Sequence, residues 1–216
     1  MCFICIALLF LSSISNISLI LAQENDWSKS TLLSSSDNNE PIIDGLMDSI
    51  WSEQNSSSYQ FDSGYEITLY VKHTGNNYLF ILIVAQFRNT FDEETFSLYL
   101  SNSEDPSQIF DKKQITMLNA NNAGNETSEK SDYHLSDDEY IQDEIEQDED
   151  FEGVASYTNT SDSEYRNYEY KIPINPSSNN SEDVALKLFE NYAIKVGYNS
   201  TAFTTELTSK ELIIKL

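Results

Sequence analysis

The chain has 216 residues, and its 36 acidic against 12 basic side chains give a net charge of −24 at pH 7. That balance argues against nucleic acid and anionic membrane surfaces as partners, because both carry the same sign. Cys2 and Cys5 both lie in the apolar first segment. A chain that loses this segment can build no disulfide, thiolate zinc site or cysteine nucleophile.

Residues 2–22 are apolar apart from Ser and Asn, and no charged residue precedes Glu24. This predicts an export signal ending at Ala22, or an uncleaved signal anchor, since roughly 20 such residues can also span a bilayer. Either form places the protein outside the cell, secreted or at the surface, with membrane contact only through this segment. Asn-x-Ser/Thr sequons at Asn55, Asn125, Asn159, Asn179 and Asn199 fit an exported chain. Residues 23–40, rich in Ser, Asn and Asp, read as a polar linker. Residues 41–216 are then long enough for one domain with a real core.

That domain opens on Pro41–Trp51. Asp44-Gly45 is a turn pair, because Asp bonds its own backbone and Gly tolerates positive φ. Asp48 is placed to cap a short helical turn that swings Ile50 and Trp51 inward, plugging one end of the core. Two strands follow. Tyr65, Ile67, Leu69 and Val71 alternate with Glu66, Thr68, Tyr70 and Lys72, and Thr74-Gly75-Asn76-Asn77 supplies the turn. Tyr78–Val84 is apolar on both faces, as for a strand buried on both sides.

Phe96, Leu98 and Leu100 alternate with Ser97 and Tyr99 in a further strand. Ile109–Leu118 is another candidate, broken by Asp111-Lys112-Lys113. Tyr168, Tyr170 and Ile172 oppose Glu169 and Lys171, and Pro173 puts that strand's end at a sheet edge. Val184–Phe189 reads as a short strand, with a helical turn capped by Ser181 as the alternative. Tyr192–Tyr198 and Glu211–Leu216 close the pattern. Short alternating strands with polar turns predict an all-β fold, an antiparallel β-sandwich.

Between Glu126 and Glu152 stand 13 acidic residues and one base, Lys130, which is half of the chain's net charge. Self-repulsion predicts that residues 119–153 form a long, solvated acidic loop inserted between strands. Asp148, Asp150 and Glu152, followed by Gly153, resemble the start of a calcium-binding loop, and calcium is the one candidate cation. Position twelve, however, is Asn159 rather than a bidentate Glu. No metal-ligand spacing joins His73 and His134, and no phosphate loop or Gly-x-Ser-x-Gly occurs, so the chain reads as a non-enzyme. With 13 Tyr, aromatics are the more informative group. Tyr70 and Tyr99 fall on the outward register of their strands, where Tyr faces can stack on sugar rings.

Ile43-Asp44-Gly45, Asp48 and Trp51 resemble the opening I-D-G-x-x-D-x-x-W of family 9 carbohydrate-binding modules and related DOMON-like sandwiches. Asn77–Phe80, Phe96–Leu100 and Glu169-Tyr170-Lys171-Ile172-Pro173 are similar to later strands of that family. The resemblance implies a jelly-roll-like sandwich that binds polysaccharide or glycan, often with calcium. It marks Asp44, Gly45, Asp48, Trp51, Glu169 and Pro173 as structural motif residues, with Trp51 matching the family's buried Trp. Ala85-Gln86 stands where the family carries an acidic residue. Three other roles stay open: a surface structural or adhesive sandwich without a sugar site, a part of a glycoside hydrolase system, and a haem-binding sandwich. For the last, Met117 and Lys171 are the candidate axial ligands.

Overall fold

The computed structural model describes residues 31–36, 39–51, 55–75, 77–86, 91–102, 109–136, 139–143, 151–159, 164–174 and 186–216. The predicted export segment, Asp148 and Asp150 lie outside these residues.

Fourteen strands form among the described residues. They are β1 (Thr31–Leu33), β2 (Ser35–Ser36), β3 (Ser56–Gln60), β4 (Glu66–Thr74), β5 (Tyr78–Gln86), β6 (Glu93–Asn102) and β7 (Ile109–Leu118). Then follow β8 (Thr127–Ser136), β9 (Glu139–Gln142), β10 (Glu152–Asn159), β11 (Glu164–Pro173), β12 (Asn191–Ser200), β13 (Leu207–Thr208) and β14 (Leu212–Lys215). An eight-stranded sheet runs β1-β14-β12-β6-β7-β8-β9, with β13 also on β12. A six-stranded sheet runs β10-β11-β5-β4-β2, with β3 also on β4. Apart from the parallel pairs β1–β14 and β2–β4, neighbouring strands are antiparallel.

The alternation written in the sequence decides which faces meet. Ile67, Leu69 and Val71 of β4, Leu79, Ile81 and Ile83 of β5, and Tyr168, Tyr170 and Ile172 of β11 form one inner face. Phe96, Leu98 and Leu100 of β6, Ile115 and Met117 of β7, and Ile194, Val196 and Tyr198 of β12 form the other. Together they make one buried cluster, as a sandwich core requires. The Tyr170 hydroxyl donates to the Phe96 carbonyl across that core at 2.9 Å.

Several expectations change in detail. The polar linker is not a tether throughout: β1 joins the eight-stranded sheet and β2 the six-stranded one, with only Ser34 between them. Ser34 donates from its backbone and hydroxyl to Lys215 O, at 3.1 and 2.8 Å. Ile109–Leu118 is unbroken, because Asp111 and Lys113 turn inward as an ion pair (3.2 Å) while Lys112 turns outward. Pro173 ends β11, a strand flanked by β10 and β5, two residues past its last partner on β10. Of Val184–Phe189, Leu186 makes one isolated bridge to Ile174.

The acidic loop is the main correction. Thr127–Ser136 and Glu139–Gln142 within it are strands that extend the eight-stranded sheet. Repulsion is relieved locally: Asp132 pairs with buried Lys113, and the Lys130 ammonium donates to Phe151 O at 3.2 Å. The exposed or half-buried side chains of β8 leave its charges largely in water. This region also protects an edge. Ala155 N donates to Ser128 Oγ (2.8 Å) and Tyr157 N to Glu126 Oε1 (3.0 Å), capping β10 backbone that another chain could otherwise pair with.

Candidate functional site

The two halves of the predicted motif come together on the outer face of the six-stranded sheet. Phe80, Leu82 and Val84 point away from the main core, and Pro41–Trp51 lies over them. Trp51 completes a second buried cluster there, with Ile43, Tyr70, Tyr78 and Tyr165 packed against it. Trp51 is therefore buried as expected, but it roofs a sheet rather than plugging the core. Asp48 caps no helix: its carboxylate accepts the Ile42 N–H (3.0 Å), closing a loop, and Trp51 N donates to Asp48 O.

Glu169 fastens this roof. Its Oε2 accepts the N–H groups of Asp44 (3.0 Å) and Gly45 (2.7 Å). The Gly45 carbonyl in turn accepts from Asn167 Nδ2 at 2.9 Å and from the Ser156 hydroxyl. Gly45 is required twice over: its φ is +81°, and a Cβ would lie 2.7 Å from that of Ser156. Burial pushes the Glu169 carboxyl up to about 7, against the lowering effect of the Gly45, Asp44 and Trp51 donors.

The opposite outer face carries the tyrosines. Lys195, Tyr99, Lys112, Tyr133 and Gln142 stand in one row across β12, β6, β7, β8 and β9. The Lys112 ammonium lies 5.4, 5.2 and 5.6 Å from the ring centres of Tyr99, Tyr133 and Tyr140. Each contact is a cation–π attraction that draws the rings together. Tyr133 and Tyr140 remain half-exposed, and Leu135 is exposed beside Tyr140 on the same face. The Tyr99 hydroxyl donates to Glu206, which folds over Gly197, where any Cβ would collide with the Glu206 carboxylate. Burial, then Glu206 and Asp111, push the Tyr140 phenol up to about 12.

The predicted sugar-stacking pair is thus not one site. Tyr70 lies on the six-stranded sheet under Trp51, ring centres 6.4 Å apart, while Tyr99 is buried on the other sheet. Tyr133 and Tyr140 are the residues the sequence reading missed. Their alternation was visible in Tyr133-His134-Leu135 and Glu139-Tyr140-Ile141, but the surrounding acidity masked it.

Glu152, position five of the calcium-loop pattern that starts at Asp148, is the first residue of β10 and pairs with Lys171 at 3.0 Å. Among the described residues no three His, Asp or Glu side chains are grouped to hold a metal ion. Met117 lies in the core and Lys171 on the outer face of the six-stranded sheet, so they cannot flank one haem. His73 contacts Gly75 O at 3.1 Å, and His134 pairs with Asp143.

A second buried carboxylate crosses the core. Glu94 of β6 meets Arg166 of β11 at 2.6 Å, both fully buried, and Arg166 lies 4.7 Å from the Tyr157 ring centre. Burial raises the Glu94 carboxyl to about 7 despite the Arg166 charge and a Tyr198 hydrogen bond. Within the core this pair ties one sheet to the other.

No protein-family model matches the chain, and no curated protein matches it at a significant level.

Proposed function

We propose that the chain is an exported, non-catalytic carbohydrate-binding module, and that it presents the outer face of the eight-stranded sheet to a polysaccharide or glycan. The observation that carries this reading is the grouping of Tyr99, Tyr133 and Tyr140 around Lys112. Half-exposed Tyr133 and Tyr140 offer apolar ring surface, with Leu135 beside Tyr140. Gln142 and Glu206 supply hydrogen-bonding groups nearby, the mixture that sugar hydroxyls and C–H faces need. Further support comes from the resemblance to family 9 modules, whose two quoted motifs meet here at Glu169 and Gly45. The apolar first segment supports export.

Binding by such a shallow surface is weak, with a dissociation constant on the order of micromolar to millimolar. Calcium acts on this protein by screening its acidic segment rather than at a built site. A glycan array on the mature chain tests the reading, with calcium present and absent. Saccharide binding that falls in Tyr133→Ala and Tyr140→Ala supports it. A silent array at high protein concentration favours the second reading, a structural or adhesive surface sandwich. One observation favours that reading: Lys112 already fills the space among the three rings, as in a purely structural cage.

A further inference from the structure

The roof over the six-stranded sheet is held in an uneven way. Its outer side gains little from burial, because Ile42, Leu46 and Met47 are 64%, 53% and 47% exposed. Its inner side rests on Trp51 and Ile43 packed over Phe80, Leu82 and Val84. The polar attachment centres on Gly45: the Glu169 carboxyl takes the backbone N–H groups, while Asn167 and Ser156 hold the Gly45 carbonyl, and of these only Glu169 can carry a charge. Oε2 takes two N–H groups and the Trp51 indole is a further donor, but among the described residues no cation pairs with the buried Glu169. An ionised Glu169 therefore carries charge that the site does not fully compensate.

We propose that Pro41–Trp51 is a strap latched on Glu169, which lifts from the outer face of the six-stranded sheet as pH rises and uncovers Phe80, Leu82 and Val84. The sign follows from burial. In the closed state the carboxyl is pushed up to about 7, whereas a lifted strap returns it toward the ordinary carboxylate range. The closed state therefore holds its proton more tightly than the open one, and acid favours closure. Other charged or titratable groups around this face are Asp44 and Asp48 on the strap, Tyr70 and Lys72 on β4, and Tyr78 on β5. Glu152 on β10, Lys171 and Tyr165 on β11, and Glu66 at the far end of β4 share this face. Asp44 adds repulsion that raises the Glu169 carboxyl further, and Lys171 is engaged by Glu152.

Trp51 reports the strap directly. In a Trp27→Phe background, acrylamide quenching of Trp51 should rise several-fold between pH 5.5 and 8.5, while the far-UV spectrum stays that of an intact β-protein. Glu169→Gln keeps an amide oxygen to accept both N–H groups and removes the charge. Its quenching should stay low and flat with pH. Quenching that is flat in the parent overturns the proposal, as does a Gln variant that follows the parent's pH dependence. Should that variant fail to fold, hydrogen exchange at Gly45 in the parent decides. Protection that drops beyond the intrinsic pH effect supports the strap, and protection that tracks the core strands overturns it.

Discussion

The two outer faces of the sandwich differ in what they need. On the six-stranded sheet, β5 is apolar on both sides, so Phe80, Leu82 and Val84 would meet water unless covered. The chain covers them with Pro41–Trp51, latched by Glu169 and sealed by Trp51. On the eight-stranded sheet, the outer row Lys195–Tyr99–Lys112–Tyr133–Gln142 tolerates water and keeps only a partial cover from Glu206. A hydrophobic outer face compels a roof, whereas a tyrosine–lysine face can stay half-exposed, and it is the face proposed to meet a ligand. Stability effects should therefore concentrate on the first face and binding effects on the second.

The largest expected effect tests whether the tyrosine face belongs to the fold at all. Deleting residues 127–142 removes β8 and β9, bares β7 as a sheet edge and takes Asp132 from buried Lys113, which keeps Asp111 as a partner. Cooperative thermal unfolding, followed by circular dichroism, should be lost. Deleting 144–150 should shift the midpoint by a few degrees at most, because shortening the chain between Asp143 and Phe151 changes the closure entropy little. Equal effects of the two deletions would show that β8 and β9 are no more integral than the residues after them.

Next is the roof itself. Trp51→Ala should cost roughly 3–5 kcal/mol by cavity formation, read from denaturant melts. A cost under about 1 kcal/mol would place the Trp51 side chain in solvent and erase the contrast between the faces.

Sequence pattern made much of this legible. Alternation in β4, β6 and β11 identified the inner faces, and the doubly apolar β5 foretold burial on both sides. The acidic stretch was misread because composition reports average solvation, whereas strand formation depends on particular pairs such as Lys113 with Asp132. Tyr133 and Tyr140 were hidden for the same reason. Glu169 was visible as a motif residue, yet its bond to Gly45 joins positions 124 residues apart, and local patterning carries no such information.

A smaller effect probes the two carboxyl groups that hold the layers together. Glu94 and Glu169 sit near 7 in the folded protein against an ordinary value of 4.5. The folded state therefore binds more protons between those values, and stability from both groups is complete below about pH 4.5 and lost as pH rises through 7. Each contributes on the order of 3 kcal/mol across that window. Melts at pH 5 and pH 8 should show the protein more stable in acid, and Glu169→Gln should remove about half of the difference. Greater stability at pH 8 would mean that neither carboxyl is as desolvated as its burial indicates.

The smallest free-energy change bears most directly on what the molecule does. Isothermal titration with the best saccharide from the array should show affinity falling roughly five- to tenfold in Tyr133→Ala and in Tyr140→Ala, about 1 kcal/mol each. Tyr70→Ala, on the roofed face, should bind as the parent does. Binding that survives both substitutions on the eight-stranded sheet and disappears with Tyr70→Ala would contradict the assignment of the ligand surface.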